Sequence, residues 1–140
     1  MDRFVKNFIA MSMVYLALAS VVGVMMLSRP AYLEFRFVHS HLMLLGWVSM
    51  MIYGVGYHIL PKFAGRFIAS RALGEAQFWL SNAGLVGMLL FYFLLQRDPG
   101  NGLYTALTAS FGGMEAVSIL LFFYNIMITV FGKEKPAKQG

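Results

Sequence analysis

The side chains best equipped for chemistry in this 140-residue chain are its three histidines, His39, His41 and His58, all in one apolar stretch. Neutral imidazole is a metal ligand and a common axial ligand of haem iron. At 100° per residue, His39 and His41 lie about 200° apart around a helix. They cannot reach one metal from the same face, but they can serve two sites on opposite sides. His58 follows His41 by 17 positions, which is about 25 Å along a helix axis. It cannot share their site within one chain. Spacing therefore makes His39 and His41 candidate metal ligands of a cofactor site. For His58, beside Pro61 and Lys62, an interfacial residue bonded to a carbonyl or a lipid headgroup is the better reading.

The elements that carry these residues belong in lipid. Hydrophobic residues make up 59% of the chain and charged ones 12%, against about half and a quarter in soluble domains. The mean hydropathy is +0.69. There is no cysteine, which excludes disulfides, thiolate metal sites, iron–sulfur clusters and covalently attached c-type haem. A spanning helix needs about 20 mostly apolar residues, and four runs qualify: 8–27, 37–60, 78–95 and 103–131. Ser28-Arg29-Pro30 closes the first, Pro61 the second and Gln96 to Gly100 the third; the fourth runs into the charged tail Lys133 to Gly140. The expected fold class is an all-α membrane protein, a single four-transmembrane-helix bundle over 1–140. The first run follows Arg3 and Lys6 but is too long for a signal-peptide core and lacks a small-x-small cleavage site, so it reads as a retained helix.

Charge then sets orientation. Arg3, Lys6, Lys62, Arg66, Arg71, Lys133, Lys135 and Lys138 fall on one side of the membrane, and Arg29, Arg36 and Arg97 on the other. Eight against three predicts both termini in the cytoplasm. The net charge of +5 is thus spread over loops and tails, and it is no nucleic-acid signal. The second loop, Lys62 to Glu75, has room for a short interfacial stretch. Tyr32, Tyr57, Trp79 and Tyr104 are placed near run ends, where aromatic belts form.

Other residues carry packing readings beside chemical ones. Met43 shares the face of His39 four positions on and can touch a bound ring or act as a weak ligand, although a packed methionine is the commoner role in a chain with 11 of them. Gly46, Gly54, Gly84, Gly87, Gly112 and Gly113 are expected to let helices approach closely. Glu115 lies about a dozen residues into the fourth run, between Met114 and Ala116, where a carboxylate must be protonated, paired or hydrated. A hydrogen bond to another helix is favoured over proton carriage.

The segment His39-Ser40-His41-Leu42 through Tyr57-His58-Ile59-Leu60-Pro61 resembles helix X of the haem–copper oxidase catalytic subunit, subunit I. There a His-x-His pair opens the helix and a His-x-x-Pro closes it. Glu75-Ala76-Gln77-Phe78 with Gly84 is similar to the start of helix XI, although the family usually has histidine at the position of Gln77. Ala109-Ser110-Phe111-Gly112 and the stretch from Phe131 to Lys135 resemble helix XII and its basic exit. The first helix matches helix IX by position only. The resemblance implies that His39 ligates one haem and His41 another, facing opposite ways. It also implies that Arg97, and by its place Arg36, pair with haem propionates. The family's subunit has twelve helices in three arcs of four, and this chain would be one arc. The further low-spin haem ligand and the copper ligands have no histidines left to supply them, so no copper is expected.

Three such chains around a threefold axis would restore three arcs, with haem b (protohaem IX) between His41 of one copy and His39 of the next; this head-to-tail homotrimer is favoured over a twofold dimer. The function expected from the resemblance is electron transfer by a bis-histidine haem in the bacterial or archaeal cytoplasmic membrane, with quinol or a redox protein as partner, rather than a complete oxidase. A haem-based gas sensor or carrier, with one coordination position open, and a haem-free accessory or oxidase-assembly protein are the alternatives.

Overall fold

A computed structural model describes residues 1–132, so Lys133, Lys135 and Lys138 of the charge count lie outside the described residues. Four helices follow one another. Helix α1, Arg3–Ser28, ends where Arg29 turns extended before Pro30, as a residue preceding proline prefers. A tight 3-10 turn, Pro30–Phe35, leads into α2, residues 36–63. Helix α3, Arg71–Arg97, starts at Ser70, whose Oγ accepts the Leu73 N–H at 3.2 Å. Helix α4, Gly102–Phe131, starts at Asn101, whose Oδ1 accepts the N–H groups of Leu103 and Tyr104 at 3.1 and 3.2 Å. These caps satisfy donors that a helix start leaves free.

All four are long and apolar enough to cross a membrane. They also outrun the apolar runs. Helix α3 begins at Arg71 rather than at Phe78, because Arg71, Glu75 and Gln77 interrupt hydropathy without interrupting the backbone ladder. Pro61 does not close α2; it sits buried in the last turn and the helix continues to Phe63. Near a helix end a proline removes little. The actual stop is Gly65, with φ of 63°, a left-handed conformation natural to glycine. The second connection is therefore only 64–70.

Helix α2 is not uniform. Arg36–His41 is α-helical, Leu42–Ser49 is π-helical, and Met50–Phe63 is α-helical again. The wider π turns rotate each residue by less than an α-helix does. The outer and inner thirds of α2 therefore present faces that α-helical spacing alone does not give.

Helix α1 packs on α2, and α3 packs along α4; α2 and α3 lie between α1 and α4, which do not touch. Phe8 centres the core, with Tyr53, Phe78 and Tyr57 rings around it. Along the α3–α4 seam, Gly87 faces the Phe111 ring, Gly84 faces the backbone of Glu115, and Ser81 bonds Ser118. Small residues let the two backbones approach, which is what drives helix association in lipid. Gly46 against Tyr15 and Gly54 against Ile9 do the same for α1 and α2. A Cβ built at Gly113 would meet nothing and one at Gly112 would lie 3.4 Å from the flexible Met88 side chain of α3, so neither position requires a glycine for close approach of the backbones.

Tyr57 also departs from expectation. It is 1% exposed and buried in the bundle, because its hydroxyl has a partner there; it is no belt residue. Trp79, by contrast, is 69% exposed.

Candidate functional site

One end of the bundle gathers the connections 29–35 and 98–101, the start of α2 and the end of α3. The opposite end gathers the start of α1, the connection 64–70 and the end of α4. Arg71 Nε pairs there with Asp2 at 3.4 Å, and Arg66 donates to the carbonyl of Gly132. His39 and His41 belong to the first end and His58 to the second.

His39 and His41 stand in the α-helical part of α2, so the angle of about 200° between them holds. The His39 ring turns to α1. Its Nδ1–H donates to the carbonyl of Ala19 at 3.0 Å, and the ring lies over Gly23, where a Cβ would come within 3.0 Å of Cε1. His41 donates from Nδ1–H to the carbonyl of Phe37, one turn earlier, at 2.8 Å. Its ring centroid is 3.9 Å from that of Phe37, which in turn stacks on Tyr92 of α3 at 3.8 Å.

A carbonyl oxygen only accepts, so in each neutral ring the proton sits on Nδ1 and the lone pair on Nε2. Neither Nε2 has a hydrogen-bond partner among the described residues, and neither is enclosed. This arrangement suits metal ligation, in which the far nitrogen is held by a carbonyl or carboxylate and fixes tautomer and ring orientation. The two lone pairs leave α2 on different sides. Among the described residues no three His, Cys, Asp or Glu side chains converge as a metal group, so any iron held here needs a ligand from elsewhere.

Arg97 reaches the same end and lies over the Phe93 ring, 4.6 Å from its centroid. Glu34, Phe35, Val38, Tyr92, Phe93 and Arg97 line a cleft between α2 and α3. Arg36 is exposed at the start of α2. Neither arginine forms an ion pair among the described residues. Met43 is half-buried and packs against the hydrophobic core. His58 is half-buried at the opposite end, where its Nε2 accepts from Lys62 Nζ at 3.0 Å.

Sequence reasoning missed three residues that set the histidines, Gly23, Phe37 and Tyr92, and the burial of a fourth, Gln77, away from them. Gly23, on another helix, makes room for the His39 ring. Phe37 and Tyr92 carry the stack that places His41. Gln77, where the resembling family usually has histidine, is fully buried and accepts the Tyr57 hydroxyl at 2.8 Å.

A four-span helical membrane protein with two imidazoles whose Nε2 atoms have no partner among the described residues is the class that fold and site define. Comparison with known proteins narrows it. The chain is 31% identical over 88 residues to the Cbb3-type cytochrome c oxidase subunit CcoN1 of Stutzerimonas stutzeri, covering 59% of this chain and 19% of that one. It is 24% identical over 167 aligned positions to the cytochrome c oxidase subunit 1 homolog of Agrobacterium tumefaciens (strain T37), covering 97% of this chain and 31% of that one. The chain thus spans between about a fifth and a third of the length of the curated relatives it matches. No family model matches it, and no solved structure does. It is a multi-pass membrane protein distantly similar to cytochrome c oxidase subunit I.

Proposed function

We propose that this chain is a membrane haem-b protein that transfers electrons, one arc of the subunit I arrangement completed by other copies of itself. His41 of one copy and His39 of the next would hold each haem iron. The observation that carries this reading is the matched setting of the two rings: each is pinned through Nδ1 to a backbone carbonyl, and each offers Nε2 on a different side of α2. One face meeting a different face is a heterologous contact, and such contacts close into rings; a ring of three restores three arcs. The similarity to two subunit I proteins supports the class of cofactor. Haem b would supply one-electron chemistry, and two imidazoles would keep its ligation the same in both redox states.

Arg36 and Arg97 would meet the propionates, since guanidinium groups bind carboxylates in a bidentate fashion. Copper is not part of the reading, because His58 is the only histidine left and it sits at the far end of α2. The excess of basic residues at the end carrying 64–70, Arg3, Lys6, Lys62, Arg66 and Arg71 against Arg29, Arg36 and Arg97, supports an orientation with that end in the cytoplasm, in which the haems would lie near the outer face of the cytoplasmic membrane. Quinol or a redox protein would be the electron partner.

The test is spectroscopic. The protein is purified in mild detergent with haem supplied, and oxidised, reduced and pyridine-haemochrome spectra are recorded for the wild type, His39→Ala and His41→Ala. A sharp low-spin b-type spectrum lost in both variants is expected. Rapid carbon monoxide binding by the wild type would point instead to an open coordination position and a gas-binding role. A colourless wild type would leave a haem-free accessory protein as the better account.

A further inference from the structure

Glu115 is 2% exposed, and neither of its carboxyl oxygens has a hydrogen-bond partner among the described residues. The interhelical bond expected of a structural acid is therefore not made. Its backbone closes on Gly84 of α3. A charge there would lack every compensation that a buried ion needs. A carboxyl so placed is well suited to carry one proton and little else.

A column of buried polar groups runs from this residue to the end of the bundle that carries the second connection. Ser118 lies one turn beyond Glu115 on α4, bonds Ser81, and donates to the Gln77 carbonyl at 3.3 Å. The Gln77 side chain accepts from Tyr57, whose oxygen accepts from Asn125 Nδ2 at 3.4 Å. Asn125 bonds the Ser70 backbone in both directions, at 2.8 and 3.1 Å, and so reaches the connection itself. Gln77 Nε2 has no partner among the described residues. Together with the two Glu115 oxygens it leaves open hydrogen-bonding capacity along the column, of the kind a passing water can satisfy. Bonds such as Ser81–Ser118 hold helices together, but the unpartnered Gln77 Nε2 and Glu115 oxygens make no such bond in the dry centre of a membrane bundle, where polar groups are expensive.

We propose that Glu115 is a proton-exchange site in the middle of the membrane, reached from the end that carries the second connection along the Asn125–Tyr57–Gln77–Ser118 column. Uptake moves one proton from water at that end to a Glu115 carboxylate oxygen. Water entering the column carries it, each water or hydroxyl accepting one proton as it passes on another, while the Gln77 and Asn125 amides only hold the hydrogen-bonded chain in place; no electron changes place. The inference is independent of haem.

The experiment is infrared spectroscopy of the full chain in lipid films as H2O is exchanged for D2O. The wild type should show a carboxylic-acid C=O band that shifts down on exchange and that Glu115→Gln removes. Tyr57→Phe and Ser118→Ala should each slow that shift by about tenfold or more, equivalent to about 1.4 kcal/mol on the barrier. Ser20→Ala, which removes only a bond to the Leu16 carbonyl on the exposed face of α1, should leave it unchanged. Size-exclusion profiles check folding, and Ser118→Ala keeps the test available should Tyr57→Phe misassemble. The proposal falls if no band depends on Glu115, if the band does not exchange, if the column variants exchange like the wild type, or if Ser20→Ala is slowed equally.

Discussion

At the scale of single residues, the histidines depend on neighbours that hold them still. His39 is fixed at two points, the Ala19 carbonyl and the flat bed that Gly23 provides. A side chain at position 23 must push the ring off both. Gly23→Val should therefore lower haem content several-fold while leaving the bundle assembled, since the hydrogen bond at stake is worth only about 1 kcal/mol to folding. Haem-to-protein ratio and size-exclusion profile measured together check this; unchanged haem content would show that the ring setting does not matter.

The histidine pair itself was legible, because a 200° separation follows from spacing alone. Its tautomers were not, because they rest on the Ala19 carbonyl of another helix and on a local rotamer of His41. Tyr57 was misread for the same kind of reason. A tyrosine near the end of an apolar run fits an interfacial belt until the partner that buries it, Gln77 twenty positions away, is seen. Glu115 could be flagged as anomalous from its flanks, but only the bundle reveals that nothing pairs with it.

At the scale of elements, hydropathy located the four spans and misplaced their ends. Apolar runs record where the chain meets hydrocarbon, whereas helix ends are set by local chemistry: the Ser70 and Asn101 caps, and the left-handed Gly65. The π-helical stretch Leu42–Ser49 announced itself by no residue type. It nevertheless sets how His39 and His41 are turned relative to the inner half of α2. Deleting the exposed Val48 should let this stretch revert toward α-helix and rotate the outer segment by about 100° per residue removed. The expected result is a folded protein with its low-spin spectrum weakened or lost. A spectrum identical to the wild type would show that the π turns are incidental to the site.

The α3–α4 seam gives a second test at this scale. Gly84 has the Glu115 backbone nitrogen 2.9 Å from where a Cβ would stand, and a backbone cannot move aside as a flexible side chain can. Gly84→Leu should destabilise the bundle by about 1–3 kcal/mol or more, as overpacking does, and lower its thermal unfolding temperature in detergent. Gly113→Leu, in open space, should not.

At the scale of the whole molecule, the pair of opposed imidazoles makes a claim about assembly that mixed oligomers can test. In a head-to-tail ring each haem takes His41 from one copy and His39 from the next. A His39→Ala chain still offers His41, and a His41→Ala chain still offers His39. Either variant alone should be colourless. Co-expressed in equal amounts, they should regain haem at about a quarter of the interfaces, because each of two positions must hold the right chain and each does so half the time. A twofold dimer predicts something else: if His41 meets His41 across the axis, the His39→Ala variant alone should bind haem in full and mixing should dilute it. A site confined to one chain predicts no recovery on mixing. Haem content of the two variants, expressed singly and together with distinct affinity tags, separates the three geometries. Recovery found only in doubly tagged oligomers is what the ring requires.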